Sequence, residues 1–143
     1  MKALKQFIFG GAVSVPFGGE FGLFLARLFV GFSMAFAHGL GKIQDPSKVI
    51  EGAGKMGFPM PEFFGWAAAF SEFGFALLLA VGLATRPSAL MLIATMSTAA
   101  FIAHGADPYG KKELALLYLA FSVVYLFFGG GRWSLDSLIV KRK

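Results

Sequence analysis

Long apolar stretches interrupted by short polar clusters set the pattern of this chain. The apolar runs lie at about 21–43, 63–84, 88–103 and 114–128. At 1.5 Å per residue the first spans roughly 33 Å, about the thickness of a hydrocarbon core. The breaks are turn chemistry: Pro46, the Gly57–Pro61 run, Thr85-Arg86-Pro87 and GADPYGKKE from Gly105. This pattern predicts an all-α fold, an antiparallel four-helix transmembrane bundle forming a single membrane domain over 1–143. Residues 1–20 superficially resemble a signal peptide, but Gly10, Gly11, Pro16 and Gly18 break the stretch, and it reads as a short interfacial segment. Between spans one and two, Pro46 followed by SKVIEGAGKM predicts a short amphipathic helix, serving either as a plain loop or as a lid over what the helices enclose.

Composition agrees with a membrane chain. Hydrophobic residues make up 57% of the sequence and charged residues only 15%, far from the soluble balance. There is no cysteine, so disulfides, thiolate catalysis and Cys-ligated zinc or iron–sulfur centres are excluded. The net charge of +5 fits loops beside anionic lipid better than nucleic acid, which is not expected as a partner. The N-terminus, Arg86 and the C-terminus carry seven Lys/Arg against two acids, whereas the other side carries five against five. That bias predicts both termini on the cytoplasmic side of a plasma (inner) membrane crossed several times.

Two charges sit where charge is costly. Arg27 lies in the first span and Glu72 near the middle of the second, and neither can face lipid while ionised. Antiparallel geometry places them at similar depths, so a structural ion pair between Arg27 and Glu72 is expected. Eleven residues separate Arg27 from His38, about 20° of net rotation on a regular helix, which puts Arg27, Gly31, Met34 and His38 on one face. This face predicts a ligand site between spans one and two, with Arg27, Gly31, Met34, His38, Glu72 and His104 as its residues. Arg27 as a register-holding charge and Gly31 as a point of close helix approach are the competing structural readings. Ala94, Thr98, Ala99 and Ala103 suit close packing of the third span. Two histidines and a carboxylate do not by themselves make a metal site, and none is expected.

The series Arg27, Gly31, Gly39 and Lys42, the segment AAAFSEFGFALLLAVGLATRPSALML around Glu72, and the closing GGGRWSLD resemble the DoxX family of small four-helix membrane proteins. The resemblance covers roughly residues 20–138 and carries over to Arg27, Gly31, Lys42, Glu72, Arg86 and Asp136. It implies a four-helix bundle in a bacterial or archaeal inner membrane, with members attached to oxidoreductase systems such as thiosulfate:quinone oxidoreductase, quinol-oxidase-associated subunits and an oxidative-stress complex. It supplies no agreed catalytic residue. Two functions stay open from the sequence: a respiratory-type or oxidative-stress oxidoreductase subunit that takes a quinone-like molecule without a redox centre of its own, or a non-enzymatic scaffold or small-solute carrier for a partner protein. The sequence leaves the oligomeric state open.

Overall fold

The computed structural model describes residues 16–141 together with Leu4 and Ile8, and among these residues the chain is all-α. The expected interfacial segment at the N-terminus lies largely outside the described residues. Six helices follow in order: α1 (Phe17–Gln44), α2 (Ser47–Lys55), α3 (Pro61–Val81), α4 (Thr85–Ala103), α5 (Tyr109–Phe128) and α6 (Leu135–Lys141). Three of them, α1, α3 and α4, are long and apolar enough to cross a membrane. The fourth expected span falls in α5, whose first turns carry Lys111, Lys112 and Glu113 ahead of the apolar run.

The helix limits differ from the apolar runs for local reasons. α4 begins at Thr85, so Thr85-Arg86-Pro87 is its first turn and not a loop. Pro87 is tolerated there because the first N–H groups of a helix have no intrahelical partner. The reversal from α3 is made by Gly82 and Ala84, both left-handed, with φ of +70° and +47°. α2 starts directly after Pro46, and the Asp45 carboxylate accepts the Ser47 N–H at 3.1 Å and the Ser47 hydroxyl at 2.6 Å. Those bonds hold the Asp45 carboxyl below its ordinary value.

α1 and α3 are each interrupted by a wide π-helical turn, at Met34–Gly39 and Ser71–Phe75, and α4 ends in one at Ala99–Ala103. Each takes up extra chain within one turn, so residues beyond it are rotated relative to a regular helix. In α1 the result is an alignment: eight residues separate Gly31 from Gly39, and one residue absorbed in the turn brings both glycines toward α3. A β-carbon on Gly31 would lie 2.6 Å from Ala80 Cβ, and one on Gly39 would lie 2.5 Å from the Glu72 carbonyl oxygen. The two helices therefore meet backbone to backbone at both points.

α1 also meets α5, where the Tyr125 hydroxyl donates to Leu23 O at 2.9 Å and the His38 ring stands edge-on to Tyr118 with centroids 5.6 Å apart. Between the long helices lies a core of Met34, Ala35, Ala76, Leu79, Ala89, Leu92, Met96 and Tyr125. Large apolar side chains such as Phe29, Phe36, Phe101 and Phe127 point outward, as expected of a surface solvated by lipid.

Candidate functional site

One end of the protein is closed by polar bonds. Arg27, only 1% exposed, donates from Nε to Ala80 O at 3.2 Å, from Nη2 to Trp133 O at 2.7 Å, and from Nη1 to Gly130 O. Its guanidinium fork thus binds the segment between α5 and α6 to α3. Asp136 completes the closure: its carboxylate accepts the Ala84 N–H at 2.7 Å, the Thr85 N–H at 2.9 Å and the Thr85 hydroxyl at 2.7 Å, capping the positive start of α4. Glu20 accepts the Arg132 N–H at 2.9 Å, and Arg86 donates to Phe127 O at 3.1 Å. Among the described residues every hydrogen-bond partner of the Arg27 side chain is a backbone carbonyl, so the side chain acts as a fastener for the chain's return.

The expected Arg27–Glu72 ion pair is not the arrangement the structure shows. Glu72 is paired with Lys42, whose Nζ lies 2.5 Å from Oε1 and 2.6 Å from Oε2. The reason is helix register. With Gly31 against Ala80 and Gly39 against Glu72, Arg27 falls opposite the Ala84 region, about twelve residues or 18 Å along the helix from Glu72. Depth estimated from the ends of the apolar runs placed the two charges too close together.

The expected opening along Arg27, Gly31, Met34 and His38 is likewise filled. Gly31 is packed on Ala76 and Ala80, Met34 is 2% exposed in the core, and His38 is turned toward Tyr118 by the wide turn of α1. A cavity of about 460 Å³ lies elsewhere, under α2 and between α3 and α4. Of the residues singled out from the sequence, Lys42, Glu72 and His104 line it, while Arg27, Gly31, Met34 and His38 do not. Ala94, Thr98, Ala99 and Ala103, expected to suit close packing of this helix, line the cavity and leave volume open instead.

The cavity walls are mostly apolar, with polarity concentrated at a few points. Glu72 is 3% exposed, and Lys42 comes from the last turn of α1 to meet it. An ammonium has three donors, and the carboxylate does not exhaust them. The Thr95 and Thr98 hydroxyls donate back to Met91 O and Ala94 O at 3.1 and 3.0 Å, leaving their oxygens as acceptors. At the rim, His104 Nδ1 lies 2.8 Å from Asp107, which leaves Nε2 available. The bond from His104 is the main reason the Asp107 carboxyl sits below its ordinary value, aided by Lys111 and Lys112.

Sequence reasoning missed Lys42 as the partner of Glu72 and Asp136 as the cap of α4. A signal for the first was present: Lys42 lies three residues past Gly39, and a glycine that lets α3 approach brings its own neighbours to that level.

The comparisons with known proteins agree with these motifs. The family model DoxX matches residues 22–105. An uncharacterized protein of Haemophilus influenzae is 31% identical over 149 residues, covering 99% of this chain and 93% of that protein. No solved structure matches the chain.

Proposed function

The chain belongs to the DoxX family, and on that premise we propose that it is a membrane subunit which holds a small, neutral amphipathic molecule of quinone type in the cavity under α2. The observation that carries this reading is the Lys42–Glu72 pair on the wall of an otherwise apolar cavity. The volume of about 460 Å³ lies within the range of ordinary small-molecule sites. The ion pair is neutral as a unit, so a ligand carbonyl can accept from the Lys42 ammonium without leaving a net charge at membrane depth. The apolar body of the ligand packs against Ala67, Ala68, Met91 and Ala94, where Met91 adapts to its shape.

In this reading α5 is the fourth span of an antiparallel bundle, both termini face the cytoplasm, and the chain resides in a plasma (inner) membrane. The protein contributes no redox centre in this reading, and an oxidoreductase partner exchanges electrons with the bound molecule. Arg27, Gly31 and Met34 serve the fold, while Lys42, Glu72 and His104 serve the ligand.

Equilibrium binding of a short-chain quinone to the detergent-solubilised protein tests the proposal. Saturable binding is expected in the parent, together with a loss of at least about tenfold in affinity in Thr98→Phe, which fills the cavity from α4. A folded Thr98→Phe variant with parental affinity, or a parent that never saturates, would overturn it.

A further inference from the structure

α2 is held differently from the rest of the protein. Its underside, Val49 and Ala53, roofs the cavity together with Met56 just past its last residue. Ile50 sits against Gly65 of α3 so closely that a β-carbon on Gly65 would lie 2.6 Å from Ile50 Cγ1 and 2.8 Å from Ile50 Cα. Glycine inside a helix is unfavourable relative to alanine, and this contact gives Gly65 its reason. Just past α2, the Phe58 ring lies 4.6 Å from that of Phe64. These contacts are apolar. The polar bonds of α2 are local: Asp45 to Ser47, Glu51 to Lys55 at 2.6 Å, and backbone bonds within 46–58. Among the described residues no hydrogen bond or ion pair ties α2 to α3 or α4, in contrast to the fastened end around Arg27 and Asp136.

Both ends of α2 are joints. Asp45 is extended, with φ −139° and ψ 94°, and Pro46 follows it. Gly57 is left-handed at φ +82°, and Pro59 and Pro61 follow. A nine-residue helix between two such joints can lift as one piece, because apolar contacts are non-directional and no aligned polar partner must be given up. We propose that α2 is a lid that swings on Asp45–Pro46 and Gly57 to admit the ligand to the cavity, with Gly65 as its seat. The identity of what enters rests on the function proposed above; the motion of the lid does not.

The absence of cysteine from the sequence gives a clean test. Ala68→Cys places one thiol in the cavity, and Lys48→Cys places one on the exposed face of α2. A water-soluble maleimide applied to the full chain in detergent is expected to label Ala68→Cys much more slowly than Lys48→Cys. Adding Gly65→Leu, which displaces Ile50, or Phe58→Ala, which removes the ring contact, is expected to speed labelling at Ala68→Cys by about tenfold with helix content unchanged. Where Gly65→Leu does not fold, Phe58→Ala decides. Equal rates at the two cysteines, or no acceleration in a folded variant, would overturn the lid. Lid-dependent labelling without quinone binding would instead remove the ligand reading and leave the lid standing.

Discussion

Gly39 lies flush against the backbone of Glu72, with room for no side chain: a β-carbon would come within 2.5 Å of the Glu72 carbonyl carbon, its oxygen and the Phe73 nitrogen. All three are main-chain atoms and cannot rotate away. Gly39→Ala is therefore expected to destabilise the protein by about 1–3 kcal/mol through forced separation of α1 and α3, although alanine is the better helix former. The thermal midpoint in detergent measures this. A variant as stable as the parent would show that the helices do not meet there.

The same approach delivers Lys42 to Glu72. Lys42→Met strands the buried Glu72 carboxylate and is expected to cost about 3–5 kcal/mol, Glu72→Leu leaves an ammonium that is 37% exposed and is expected to cost less, and the double substitution costs clearly less than the sum of the two. Strict additivity in that double-mutant cycle would mean that the two side chains do not interact.

Arg27 fastens three carbonyls from two parts of the chain. Arg27→Ala leaves those carbonyls without their donor and is expected to lower stability by about 3 kcal/mol or more. Arg27→Lys should recover only part of the loss, since one ammonium cannot reproduce the fork. Full rescue by lysine would show that charge matters here and the geometry does not.

At the rim of the cavity, the depressed Asp107 carboxyl makes stability depend on pH in a definite direction. A group whose folded value lies below its unfolded one contributes fully above the unfolded value, near 3.8, and loses that contribution as pH falls through the folded value. The difference in thermal midpoint between the parent and Asp107→Asn is expected to be present at pH 6 and to vanish as the pH is lowered past 4 toward 2. A difference that persists undiminished at pH 2 would contradict the depressed Asp107 carboxyl.

Much of this architecture is legible in the sequence because apolar length and turn chemistry report directly on membrane helices. The all-α class, the helix after Pro46 and the need for partners around Arg27 and Glu72 follow from that alone. The partners themselves do not. Arg27 is satisfied by Ala80, Gly130 and Trp133 carbonyls, and backbone acceptors leave no trace in residue identity. His38 left the face it shares with Arg27 on a regular helical wheel because the π turn at Met34–Gly39 absorbs extra chain, a departure from 3.6-residue winding that periodicity does not reveal. The small residues of α4 fit close packing and open volume equally well, and only the position of α2 above them decides.

That wide turn in α1 also sets the rotation between the two halves of one helix. A regular helix transmits every change of register along its whole length, so a residue gained or lost near one end would turn the side chains at the other by about 100°. In α1 an irregular turn already lies between Gly31, set against Ala80, and Lys42, set against Glu72. Both ends of α1 are thereby seated on α3 at once, Gly31 at Ala80 and Gly39 with Lys42 at Glu72, which a uniform winding of the same residues would not achieve.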